Sequence, residues 1–204
     1  YLILVMLFRC FIVRTSRSVF LFLGSLLLLS VYQTSGRIFN APANHVVFYA
    51  MGNCSGVHCI RDDGQSWLAC SGSSHPYQHL YRAATPYCSR LHIPFPHLLS
   101  AEASTGGLSY HNGMITYGGK RICMVSDNRW QSKKSGSPLT VDYLYVSKGY
   151  DGDIAALERL FRIRKVVLNP GLPEYKSRTI LKECLRRNIP CIALADHAPF
   201  IIPL

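Results

Sequence analysis

Three features of the sequence predict an α/β protein of the α+β sandwich type. About sixty residues from Asp142 to Leu204 alternate short β-branched or aromatic runs with stretches of helical period, the pattern of βαβ units and hence of a sheet covered by helices. Before them, short apolar runs are separated by glycine, asparagine and aspartate turn signals, as in antiparallel strands. The composition from Arg37 onward is globular, with no repeat and no low-complexity tract.

The chain opens on Tyr1 where a translation start would place Met, which predicts a piece of a longer protein. Tyr1–Phe8 is wholly apolar and reads as the tail of a preceding span. Arg9, Arg14 and Arg17 follow, and Ser18–Gly36 then carries no charge over nineteen residues. At 1.5 Å per residue that run reaches about 28 Å, against roughly 30 Å for a bilayer core. Residues 1–36 are therefore expected to be a membrane segment: the end of one span, a basic loop and one full transmembrane helix. The arginines place its N-terminal side in the cytoplasm, and residues 37–204, the soluble domain, on the other side of a multi-pass inner-membrane protein. A cleaved signal peptide is the alternative, since an apolar run behind arginines looks the same.

Arg37–Leu204 spans 168 residues, enough to bury its own core as one domain. His45–Met51 and Gly56–Ile60 are expected strands, and Asp62-Asp63-Gly64 is a hairpin turn leading into Ser66–Cys70. Ser71–Pro76 reads as a loop, Tyr77–Leu91 as a short helix broken at Pro86, and Ile93–Pro96 as irregular. His111-Asn112-Gly113 is a turn before the strand Met114–Tyr117, and Gly118-Gly119 a second turn before Arg121–Ser126. Gln131–Pro138 is a polar loop. Val141–Val146 reads as a buried strand. Asp151-Gly152-Asp153 offers an N-cap for a helix carrying Ile154, Leu157, Leu160 and Phe161. Lys165–Leu168 is the next apolar run. Pro173 and Glu174 suit a first turn, with Ile180, Leu181, Cys184 and Leu185 on one face, and Asn188 and Pro190 end that helix. Cys191–Leu194 and Phe200–Ile202 are the last two expected strands.

Several of these blocks stand where motifs of a known family would stand. Val46-Val47-Phe48-Tyr49-Ala50-Met51-Gly52-Asn53-Cys54-Ser55 resembles a strand ending in a VGQGD-like turn, and Leu68-Ala69-Cys70-Ser71-Gly72 an LIDTG strand. Met124-Val125-Ser126-Asp127 resembles LLTGD, Ser147-Lys148-Gly149-Tyr150 resembles HHGS, and Ala195-Asp196-His197-Ala198-Pro199-Phe200-Ile201 resembles TDxxGxI. On these motifs the chain resembles, over essentially its whole length, the C-terminal part of a ComEC/Rec2 family competence protein in its divergent Bacteroidetes-type form. The resemblance implies a metallo-β-lactamase-like domain after the last spans of an inner-membrane channel that passes single-stranded DNA. The implied partners are the membrane, the upstream membrane part of the same protein and single-stranded DNA.

The departures from that family bear on chemistry. A two-metal hydrolase of this type needs a HxHxDH cluster, because two close cations require several imidazoles and a bridging carboxylate. The sequence has none. Lys148 stands in the HHGS block, and an ammonium has no lone pair for a metal. Asp127 is the one family ligand position that keeps a carboxylate; one carboxylate makes no metal site, and a turn or cap role before Asn128 is the preferred account of it. A degenerate, non-catalytic domain without a cofactor is therefore expected. The alternative is a metal-dependent hydrolase whose ligands are Asp127 and scattered histidines, and a membrane-anchored structural module without a DNA role is a third reading. His75 and His79 have i, i+4 spacing but no acidic residue between them, and the other six histidines are scattered. None of the eight cysteines forms a CxxC pair, which argues against a zinc ribbon or a thioredoxin-type site.

Charge is the remaining signal. The net charge of +11 includes the three arginines at positions 9, 14 and 17. From Arg159 to Arg187 there are nine lysines and arginines against Glu174 and Glu183. On the Pro173–Asn188 helix, Lys176, Lys182, Arg186 and Arg187 are expected to point away from the apolar face. The candidate nucleic-acid contacts are Lys148, Lys182, Arg186 and Arg187, the last three acting through charge on phosphates and not through base reading. A solvated face partly paired with Glu158 and Glu183 is the plainer reading.

Overall fold

Alternation of side chains along each strand decides the architecture. In strand β1 (His45–Tyr49), Val46 and Phe48 face one core while Val47 and Tyr49 face another. In β8 (Lys120–Val125), Ile122 and Met124 join the first core, while Cys123 and Val125 join a third. Strands buried on both faces must be covered on both. The computed structural model describes residues 16–39, 43–49, 55–71, 76–99, 102–194 and 199–204. It divides into two units, Tyr1–Ala41 and Pro42–Leu204.

In the larger unit, the described residues form two main sheets with a common core between them. The first has five strands in the order β14-β1-β2-β3-β4, with β2 (Ser55–Ile60), β3 (Ser66–Ser71), β4 (His97–Leu98) and β14 (Phe200–Pro203). The second has seven, in the order β13-β12-β10-β8-β7-β6-β5. They are β5 (Glu102–Thr105), β6 (Leu108–His111), β7 (Met114–Tyr117), β8, β10 (Tyr143–Val146), β12 (Val166–Leu168) and β13 (Cys191–Ala193). Strands β5 to β8 form an antiparallel meander, and β8, β10, β12 and β13 run parallel. A short pair, β9 (Leu139–Val141) and β11 (Phe161–Ile163), stands apart. Phe48, Val57, Trp67, Leu108, Ile115, Met124 and Tyr145 fill the space between the sheets.

Helices cover the outer faces. Helix α2 (Pro76–Leu91) lays Ala84 and Cys88 on Val47, Tyr49, Ile60 and Leu68 of the first sheet. Helices α3 (Ile154–Glu158) and α4 (Glu174–Arg186) cover Cys123, Val125, Leu144, Val146 and Leu168 of the second. The layers are therefore helix, sheet, sheet, helix, an α+β arrangement as expected.

Three readings from the sequence are corrected. Helix α2 runs through Pro86 without a break; Pro86 lies on the exposed side, where the carbonyl it leaves without an N–H meets water. The helix from Ile154 ends at Glu158, and Phe161 belongs to β11, with its ring edge-on to Trp130 at 5.5 Å. On α4, Leu185 is 80% exposed while Lys176 is only 8% exposed, because the buried stripe runs through 176, 180 and 184 at four-residue steps.

One full transmembrane helix is expected within residues 1–36. Helix α1 (Ser16–Phe39) forms there, with Phe20, Leu21, Leu23, Leu27 and Leu28 exposed. Among the described residues, however, no helix is long and apolar enough to cross a membrane. The strongly apolar run Val19–Val31 covers about 20 Å at 1.5 Å per residue, and Gln33-Thr34-Ser35-Gly36 continue it with polar groups. Tyr1–Phe8, Arg9 and Arg14 lie outside the described residues.

Beneath α2 lies a buried polar pair. The Tyr49 hydroxyl sits 2.8 Å from His58 Nδ1, and His58 Nε2 has no partner among the described residues. Burial keeps the Tyr49 phenol protonated, so it donates to that nitrogen. Burial first, and His45 second, lower the His58 pKa to about 3. The unfolded chain, with an ordinary imidazole near 6.5, then binds a proton that the folded one refuses. Stability from this group is complete above about pH 6.5 and falls, by roughly 1.4 kcal/mol per unit, as pH drops toward 3. Urea unfolding at pH 7 and pH 5 should show that slope, and His58→Gln should make it shallower by about one proton; an unchanged slope would refute the assignment.

Candidate functional site

The parallel strands β8, β10 and β12 all end at one edge of the second sheet, the edge where open α/β sheets place their ligands. Each strand gives way there to polar residues. Strand β8 ends into Ser126 and Asp127, β10 into Ser147 and Lys148, and β12 into Asn169. The first sheet adds Ser55 at the start of β2 and Ser71 at the end of β3, which face one another in register.

Four serines join the two sheets at this edge. Ser55 Oγ donates to Ser147 Oγ at 3.4 Å, and the Ser71 and Ser126 hydroxyls share a short hydrogen bond. Ser147 Oγ also donates to the Val125 carbonyl at 3.2 Å. Ser55 and Ser147 are buried. Deeper in, the Tyr145 hydroxyl donates across the core to the Tyr49 carbonyl at 2.8 Å and accepts from Asn169 Nδ2 at 2.7 Å. The cluster offers neutral hydroxyls that donate and accept. Among the described residues it contains no imidazole and no carboxylate.

Asp127 stands beside this cluster but is engaged locally. Its Oδ1 accepts the Arg129 N–H at 3.0 Å and faces the Arg129 Nε at 3.1 Å, the geometry of a side chain closing its own turn. Next to it, Asn128 accepts from the Asp151 N–H at 2.9 Å and ties this turn to the segment after β10. Among the described residues, no group of three His, Cys, Asp or Glu side chains is placed to hold a metal. Met51–Cys54, Gly72–His75 and Ala195–Ala198, which carry parts of the family-like blocks, lie outside the described residues.

The basic residues fall on two opposite edges. Lys148 is exposed at the edge just described. Helix α4 starts at that edge, after β12, and returns to the beginning of β13, so its C-terminal end lies at the other edge, about 20 Å away. Lys182, Arg186 and Arg187 are exposed along α4 or just past its end, and the structure does not bring Lys148 to Arg186 and Arg187. Lys176 is not part of this face: its Nζ is turned inward and donates to the Asp151 carbonyl at 2.6 Å. Arg178 pairs with Glu174 at 2.5 Å, and Arg187 pairs closely with Glu158. The far edge also gathers Arg159, Arg162 and Lys165, which precede or enter β11 and β12. Composition showed these cations, but only the parallel topology puts them beside the end of α4.

Compared with known proteins, the chain matches over residues 46–204 the family described as the ComEC C-terminal domain. No curated protein and no solved structure matches it.

Gly149 gives the serine edge a test. Its φ is +104°, and a Cβ there would lie 2.3 Å from the Ser126 carbonyl oxygen. Gly149→Ala must therefore both strain the backbone and push apart the segments after β8 and β10. We expect it to cost about 2–3 kcal/mol in urea unfolding, whereas Gly119→Ala, also at positive φ but in open space, should cost about 1 kcal/mol. Equal costs would show that the close approach to Ser126 does not matter.

Proposed function

Since the chain belongs to the ComEC C-terminal domain family, we propose that it is the non-catalytic, extracytoplasmic domain of a membrane-associated DNA-uptake protein, and that the edge at the end of α4 meets the DNA backbone. One observation carries the contact: Lys182 and Arg186 are exposed with no carboxylate pairing them among the described residues, while their neighbours Arg178 and Arg187 are paired. Unpaired cations on a rigid helix are free to displace counterions from phosphate. The four-layer arrangement of two sheets and flanking helices supports a metallo-β-lactamase-like fold. The hydroxyl cluster at its ligand edge supports the loss of a hydrolytic centre. The apolar side chains exposed on α1 are what lipid, or the membrane part of the same protein, would cover.

Binding of the full chain to labelled single-stranded DNA, measured as a function of salt, tests this reading. Affinity should be independent of sequence and fall with salt by about 0.7 log units per decade for each phosphate contact. Changing Lys182 and Arg186 together to Gln should flatten that dependence by roughly 1.4, while Arg187→Gln, already paired with Glu158, should change it less. A folded double variant with unchanged affinity and slope would overturn the contact. The DNA should stay intact with magnesium, manganese or zinc added; cleavage that disappears in Asp127→Ala would overturn the non-catalytic reading.

A further inference from the structure

Helix α4 and strand β13 each bring a cysteine to the same seam of the core. Cys184 lies in the last turn of α4 and is fully buried, and Cys191 opens β13, half-buried against the same cluster. The chain reverses between them in six residues. The Ile189 N–H returns to the Cys184 carbonyl at 2.9 Å, and Asn188 takes the left-handed conformation at φ 55° that such a helix end requires. Strand β13 then starts with Cys191 opposite Val166. This fold-back brings both side chains into one apolar cluster, near enough for each thiol to shift the titration of the other.

We propose that Cys184 and Cys191 are a dithiol site that closes to a disulfide on meeting a thiol–disulfide oxidant, and that the closed bond pins the end of α4 to β13. The contact between the sulfurs lowers the Cys184 thiol, because Cys191 donates to its thiolate, and that donation together with burial raises Cys191. Cys191 is the sulfur that solvent reaches. The Cys184 thiolate takes the proton that Cys191 donates to it, and the Cys191 thiolate so formed attacks one sulfur of the oxidant's disulfide, whose other sulfur leaves as a thiolate and then takes that proton from Cys184. Cys184, deprotonated in turn, attacks the Cys191 sulfur and expels the second oxidant sulfur. Two cysteine thiols and one oxidant disulfide thus give one cysteine disulfide and two oxidant thiols. Two electrons pass to the oxidant, and both protons end on the released thiols. A domain on the far side of the inner membrane would meet such oxidants.

The sequence supplies the assay. Trypsin cuts after Lys182, Arg186 and Arg187, so Cys184 leaves on peptide 183–186 and Cys191 on peptide 188–204. The full chain is reduced, incubated with oxidised glutathione, alkylated with a maleimide and digested. The expected product is the two peptides joined by a bond that reduction breaks, and its absence in Cys184→Ser. Oxidation should also raise Tm by roughly 5 °C, as closing a short loop predicts, and Cys191→Ser, a milder change at a half-buried site, should remove the rise. Both peptides alkylated after oxidation, or glutathione left on Cys191 of the unsubstituted chain, would overturn the proposal.

Discussion

A buried tyrosine hydroxyl deep in the common core ties the two sheets together. Tyr145 stands on β10, in the middle of the second sheet, and reaches across the common core to the Tyr49 carbonyl on β1. Its ring meets Phe48 edge-on at 5.3 Å, so the hydrogen bond and the aromatic contact point the same way. A donor this deep must be satisfied, and only one spacing and one registry of the sheets satisfies it. Asn169, donating to the same hydroxyl from the end of β12, extends the constraint to a third strand. The serine links lie farther out along the same seam, and their meeting depends on the registry that Tyr145 fixes.

Where both faces of a strand are buried, its sequence says so. The runs Val46–Tyr49, Ile122–Val125 and Leu144–Val146 are legible as strands because no position can be polar when helices lie on one side and a second sheet on the other. The Asn112-Gly113 turn is legible because both residues take positive φ, 51° and 80°, which these two residue types tolerate best. Strand β5 was not legible. Glu102-Ala103-Ser104-Thr105 is an edge strand that is mostly exposed, so it carries no hydrophobic pattern. Phe161 was drawn into a helix by its spacing from Ile154 and Leu157, since four apolar residues in eight suit either reading when a helix stops after five.

The candidate site was legible only in parts. Asp127 and Lys148 were found by their place in family-like blocks, and the cations of α4 by their density. The serine cluster was not found, because its four members come from strands up to ninety-two residues apart and serine has no spacing signal of its own. Lys176 was misplaced for a physical reason: a long side chain can bury its stem on the apolar stripe and still give its ammonium a carbonyl. Counting charges on a helix therefore overstates the face it offers to a polyanion.

The pairing of β1 with β14 also bears on how the molecule is made. His45 lies opposite Pro203 and Phe48 opposite Phe200, so neighbours in the first sheet are separated by most of the domain's length. The first sheet cannot be completed during synthesis until β14 has left the ribosome. Contacts of such long range close slowly, because the loop entropy is lost before they form. Until then β1 presents an open edge and the groove that Ile202 will fill, the kind of surface on which nascent strands aggregate. A chain with this order of strands can complete its first sheet only once its last strand is free to pair.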